Sequence, residues 1–159
     1  MNPLRPQLFD DLIGQEEIIN NLKISVMSAK SRGDVLSHCL FYGGAGLGKT
    51  TLARALANEL GVPIEIANGA SLNSNRDVLP YLMKMERGSV FFIDEIHRMS
   101  KKVQEYLLTV IEDFRLDIVI PATKGNKGET VSMDIPKFCF VGATTEMGEL
   151  VQPFLDRFI

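Results

Sequence analysis

The sequence predicts an α/β fold: a parallel sheet flanked by helices, with an inserted β-hairpin near 116–135. Three observations predict it. Short continuous apolar runs alternate with segments whose apolar residues recur every three or four positions, as when strands exchange with helices. One run opens onto a glycine-rich turn and another ends in two adjacent carboxylates, so two strands carry chemistry at their C-terminal ends. A third stretch has two β-rich arms around a polar, glycine-bearing tip, the second with Val131, Met133 and Ile135 alternating with polar residues, the pattern of a hairpin. At 159 residues, 45% hydrophobic and 23% charged, the chain reads as one domain able to bury a core. No apolar run approaches the roughly 20 residues of a membrane-spanning helix. Met1 to Arg5 carry no apolar signal-peptide core. A net charge of −3, from 17 basic and 20 acidic residues, excludes a chain that holds nucleic acid by overall charge. Arg87, Arg98, Lys101 and Lys102 accordingly read as solvated helix faces. The expected setting is the cytoplasm, with Cys39 and Cys139 as buried, reduced thiols.

The elements follow in order. Residues 15–31 form a helix with Ile18, Leu22, Val26 and Ala29 along one face, and Glu16 and Glu17 suit its positive N-terminal end. Residues 38–42 form a short buried strand that stops at Gly43-Gly44. Leu52, Leu56 and Leu60 mark the next helix, which Gly61 ends. Residues 62–66 form a strand whose Pro63 favours an edge position. A weaker helix spans 77–86 and tolerates Pro80 only in its first turn. Residues 89–93 are uniformly apolar, as in a strand covered on both faces. Ser100 caps a helix with Val103, Leu107, Val110, Ile111 and Phe114 on one side. Residues 116–120 and 130–135 flank the polar tip 123–128, and 137–141 form a last buried strand.

Gly43-Gly44-Ala45-Gly46-Leu47-Gly48-Lys49-Thr50 fits the phosphate-binding loop pattern. Glycines let backbone N–H groups curl around phosphate oxygens, and the following helix aims its positive end at them. Lys49 neutralises the β- and γ-phosphates, and the Thr50 hydroxyl suits Mg²⁺. Chance would place roughly 0.005 such matches in a chain this long, so the match is informative. Asp94 and Glu95 complete the pattern from the end of a buried strand. Asp94 is the Mg²⁺ ligand, through water, and Glu95 the base that activates the attacking water. Thr144 and Thr145 stand at a third strand tip, where a hydroxyl can meet a γ-phosphate. Asp156-Arg157-Phe158 offers an arginine that is either a surface charge or a finger for a neighbouring subunit's nucleotide.

Together these motifs resemble the AAA+ ATPases, and more closely the RuvB family of Holliday-junction branch-migration motors. The resemblance rests on Leu4-Arg5-Pro6, Ile13-Gly14-Gln15, Gly46 through Ala53, Phe92 through Arg98, Glu112 through Ile118 and Gly142 through Thr145. It implies a P-loop AAA+ core and a large ATPase domain over 1–159 that binds ATP or ADP with Mg²⁺. It places Leu4 and Arg5 at the adenine with Ile13 nearby, and Gly43, Gly46, Gly48, Lys49, Thr50 and Thr51 at the phosphates. It sets Glu112, Asp113 and Phe114 near the nucleotide, makes Thr145 the γ-phosphate sensor and makes Arg157 a finger acting in trans. The hairpin becomes the docking surface for a RuvA-like junction-binding partner. The full-length protein is then a homo-hexamer that meets four-way junction or duplex DNA through domains not in this chain.

Departures from the family pattern are local. The loop has Gly-Gly-Ala-Gly where the family usually has Gly-Pro-Pro-Gly, and the hairpin tip carries Lys124 and Lys127. Glu146-Met147-Gly148 replaces the usual Arg-Ala-Gly. The last sheet strand, the helical lid and the winged-helix domain are expected beyond Ile159, and the 159-residue piece alone is expected to be nearly inactive. Two other functions compete. A clamp-loader-like or replication-associated remodelling ATPase shares Arg5-Pro6, Gly14-Gln15 and the Asp-Glu strand, but usually lacks so long a hairpin. A nucleotide-binding interaction module would bind ATP without turning it over.

Overall fold

The computed structural model describes residues 16–43 and 48–145. The chain runs α1 (Glu16–Arg32), β1 (Cys39–Tyr42), α2 (Lys49–Leu60), β2 (Ile64–Asn68), α3 (Asn75–Leu82) and β3 (Val90–Asp94). It continues through α4 (Lys101–Asp113), β4 (Arg115–Ile120), β5 (Glu129–Asp134) and β6 (Cys139–Thr144). Four strands pair in parallel in the order β1-β6-β3-β2. β2 sits at the end of this order, but it starts at Ile64, so Pro63, expected inside the strand, lies just before it. The proline has no N–H to donate, while its carbonyl accepts from Val90 at 2.9 Å.

β3 explains the layering. Val90 and Phe92 pack with Ile19, Leu22, Val26, Leu52 and Leu56 from α1 and α2. Phe91 and Ile93 pack instead with Val78, Leu82, Val103 and Leu107 from α3 and α4. A strand's side chains alternate faces, so a continuous apolar run is what a sheet with helices on both sides needs. Phe91 meets Phe140 edge-on at 5.9 Å and stacks on Tyr81 at 5.4 Å. Such aromatic pairs contribute about 0.5–1.5 kcal/mol beyond the area they bury.

Two local expectations need correction. The buried face of α1 is Ile19, Leu22, Val26 and Ala29, while Ile18 is 44% exposed. Both isoleucines fit a helical spacing with Leu22, and only contact with α2 separates them. α3 starts at Asn75 rather than 77, because Ser74 and Asp77 close a capping box. Pro80 therefore lies past the first turn, inside a helix of 8 residues that ends at Leu82. Its cost there is one missing N–H and a crowded carbonyl at Arg76.

β4 and β5 pair antiparallel, Leu116 opposite Met133 and Ile118 opposite Val131, apart from the main sheet. Only the root is tied down. Leu116 is fully buried, and the Ile135 N–H donates to Phe114 O at 2.9 Å. Cys39 and Cys139 lie on neighbouring strands as free thiols, and both sulfurs donate to Ser37 O. The bond to Cys39 and full burial push the Cys139 pKa up, keeping that thiol protonated.

His38 locks the lower edge of the sheet. Its Nδ1 accepts the Phe140 N–H at 2.9 Å, and its Nε2 lies 2.9 Å from the carbonyl of Ile111. An N–H can only donate and a carbonyl can only accept, so the neutral ring carries its proton on Nε2. Burial lowers its pKa, partly opposed by the Ile111 bond. A group whose folded pKa lies below its unfolded value stabilises fully above the unfolded pKa, and that stability is lost as pH falls toward the folded pKa. The melting temperature is expected to fall as pH drops below the usual histidine value of about 6.5, because the folded state resists protonation of His38. His38→Gln lowers the plateau but removes most of that drop; an unchanged slope in thermal melts refutes the assignment.

Candidate nucleotide site

All four parallel strands point their C-terminal ends at one side of the molecule. There α2 begins after Gly48, which takes φ 75° and ψ 27°, a conformation glycine adopts without strain. The first-turn N–H groups of α2 have no partner within the helix and face outward from its positive end. Lys49 turns back over the start of the loop, its Nζ donating to Gly43 O at 2.9 Å. Gly43 N–H in turn donates to Thr144 O at 3.3 Å, tying the loop to the tip of β6.

β3 delivers the carboxylates. One Asp94 oxygen accepts the Glu95 N–H at 2.9 Å, which aims the carboxylate and leaves its other oxygen for a ligand. Glu95 takes φ 50° and ψ 51°. A non-glycine residue held in the left-handed region costs of order 1–3 kcal/mol, and such strain gathers at functional sites. The surroundings enforce it. A Cβ on Gly69 would stand 2.2 Å from Glu95 O, so only glycine lets that turn settle. Arg98 Nη1 lies 3.3 Å from Glu95 Oε2, an ion pair exposed enough to contribute little stability.

Gly48, Lys49, Thr50, Thr51, Asp94, Glu95 and Thr145 line one open cleft of about 340 Å³. A lysine, helix N–H groups and a hydroxyl meet two carboxylates and a strand-tip threonine. That set can hold phosphates on the positive side and activate water on the negative side. Thr50 and Asp94 share the cleft as hard oxygen donors. Among the described residues no group of three or more His, Cys, Asp or Glu could hold a metal unaided. A two-donor site suits Mg²⁺, which keeps its waters and takes phosphate oxygens as ligands.

The structure does not bring every candidate here. Leu4, Arg5, Ile13, Gly46 and Arg157 lie outside the described residues. Glu112, Asp113 and Phe114 stand at the opposite end of the strands. Phe114 packs edge-on against Phe138 at 5.4 Å and beside His38 at 5.9 Å, both preceding their strands. A strand of 5 or 6 residues separates them from the cleft, about 15–20 Å. They do not touch the phosphate cleft of their own chain. Conversely, sequence reasoning assigned no part to Gly69 or His97. His97 is half-buried, and its Nδ1 lies 2.8 Å from the hydroxyl of buried Thr144. Its place two residues after Glu95 was the available signal.

Comparison with known proteins agrees with this arrangement. The family model described as the Holliday junction DNA helicase RuvB P-loop domain matches residues 4–159. A curated relative from Campylobacter hominis, a Holliday junction branch migration complex subunit RuvB, is 48% identical over 155 residues. The match covers 98% of this chain and 45% of that protein. The RuvB subunit of Rhodopirellula baltica is 46% identical, with 98% and 42% covered. Among solved structures, the Thermotoga maritima RuvB Holliday junction branch migration motor superposes with a TM-score of 0.81 at 42% identity, covering 98% of this chain and 46% of that one. A point variant of the same protein reaches a TM-score of 0.85 at 44% identity, with 98% and 47% covered. The chain thus spans less than half the length of the curated relatives it matches. With the family match running from residue 4 to residue 159, the chain belongs to the RuvB P-loop domain family.

Proposed function

We propose that this chain is the ATP-binding and hydrolysing core of a hexameric DNA motor that drives branch migration of Holliday junctions. The observation that carries the reading is the single cleft uniting Lys49, Thr50, Asp94, Glu95 and Thr145. Lys49 and the first-turn N–H groups of α2 hold the β- and γ-phosphates. Glu95 accepts the proton of the attacking water, and Thr145 hydrogen-bonds the γ-phosphate. Thr50 and Asp94 hold Mg²⁺, which offsets phosphate charge when bound. Arg157 acts as a finger on the nucleotide of a neighbouring subunit.

The hairpin is the surface we assign to a RuvA-like junction-binding partner. Val119, Val131 and Met133 are exposed on it at 71%, 41% and 36%, and all of β5 is exposed among the described residues. DNA contact is assigned to parts of the protein other than this domain, in keeping with its net charge of −3. No helix among the described residues is long and apolar enough to cross a membrane, and we place the protein in the cytoplasm.

The test is electron microscopy of the intact protein on a four-way junction, paired with a junction-dissociation assay. A hexameric ring around a duplex arm and ATP-dependent loss of the junction are expected. An open pentamer with no effect on the junction would transfer the protein to the clamp-loader class.

A further inference from the structure

We propose that His97 is a positioning residue for ATP hydrolysis: it holds the tip of β6, and with it Thr145, in register with the turn that carries Glu95. The inference rests on the reading of the cleft as a site of ATP hydrolysis. The two groups that must meet the γ-phosphate and the water follow different strands, Glu95 just after β3 and Thr145 just after β6. The ladder between those strands runs Val90–Cys139, Phe91–Phe140, Phe92–Val141 and Ile93–Gly142, and stops there. Between β1 and β6 the pairing continues to Tyr42–Thr144. Strand pairing with β3 thus ends two residues before Thr144, whose register partner Tyr42 lies on the strand leading into the phosphate loop.

Two contacts close that gap. Ile96 lies against Gly142, where an added Cβ would come within 2.8 Å of its Cδ1. His97 Nδ1 meets Thr144 Oγ1 at 2.8 Å, joining residues 47 apart in the chain. Apolar contact sets only a separation, whereas the hydrogen bond also sets direction. Thr144 is 1% exposed, so an imidazole at this distance also satisfies a hydroxyl that water does not reach. His97 does not line the cleft. It acts through Thr144 on Thr145, and from its own turn on Glu95. A shift of about 1 Å between groups that must meet one phosphate and one water can cost about 10²-fold in rate.

The experiment uses the intact protein on four-way junction DNA. His97→Ala and Thr144→Val are expected to lower kcat about 10- to 100-fold while the affinity for ADP stays within about threefold. The double variant should be no slower than either single one, because both remove the same bond. His97→Asn, whose amide lies near the Nδ1 position, should recover turnover to within about fivefold of wild type. Wild-type kcat in His97→Ala overturns the proposal, as do additive losses in the double variant. A fall in melting temperature and ADP affinity together, without rescue by His97→Asn, makes the residue structural and also overturns it. Should His97→Ala not fold, Thr144→Val and His97→Asn decide the matter by the same readouts. Glu95→Gln, run alongside, separates the layers: if it still hydrolyses ATP, the assignment of the cleft fails rather than the part played by His97.

Discussion

Glu95→Gln is expected to leave ATP bound and to stop its hydrolysis. Glutamine keeps the length and shape of the side chain, so the left-handed turn at Glu95 and the Gly69 contact beneath it should persist. What disappears is the carboxylate that accepts the proton of the attacking water. General-base catalysis contributes about 10²–10⁴-fold, and the loss should fall in that range. Nucleotide affinity should stay within a few-fold, because the phosphates are held by Lys49, Thr50 and the helix N–H groups on the other wall of the cleft. Losing one negative charge beside phosphates removes a repulsion and so favours binding. Single-turnover hydrolysis and equilibrium titration of ATP separate the two quantities. Hydrolysis at the wild-type rate would refute the base assignment. Loss of both quantities together would mean that Glu95 supports the phosphate wall as well.

The second large effect belongs to Arg157. Fingers supplied in trans contribute about 10³–10⁵ in rate in well-studied phosphoryl transfer, so Arg157→Ala should nearly abolish turnover in the hexamer. Nucleotide binding should hold, since the phosphate loop is untouched. Lys49→Ala fails for the opposite reason: it loses the charged contact to phosphate and with it most of its affinity. On the proposed reading the two defects lie on different subunits' sides of one interface. A Lys49→Ala subunit still offers its arginine, and an Arg157→Ala neighbour still offers an intact loop. Hexamers mixed from the two should recover part of the activity that each has lost. No recovery, with mixing verified, would leave Arg157 a structural ion-pair partner, for instance of Asp156 or Asp113.

Much of this protein was legible along the chain, and for one reason. Phosphate-loop chemistry depends on residues adjacent in sequence: glycines for backbone approach, then a lysine and a hydroxyl on the first turn of a helix. Gly48 and Lys49 sit where that pattern places them. Strands buried on both faces announce themselves as unbroken apolar runs, and Val90 to Ile93 do so. The hairpin followed from its period of two, whereas Pro63, read as part of a strand, lies just before β2. The order of the strands did not come from pattern. The order β1-β6-β3-β2 appears only in the folded sheet.

Other features depended on contacts between distant segments. Ile18 and Ile19 are equivalent by spacing, and only the packing of α1 on α2 buries one and exposes the other. The helix holding Pro80 begins where the Ser74–Asp77 capping box closes, not where a proline would choose. Glu112 to Phe114, adjacent to a motif-rich stretch, stand at the far end of the sheet because α4 carries the chain back along it. Glu95 takes its strained conformation because Gly69 leaves room beneath it, and Thr144 is held by a histidine 47 residues away. Backbone chemistry is local and can be read from neighbours in the chain. Which groups face one another across a site is set by strand register and helix packing, which exist only once the chain has folded.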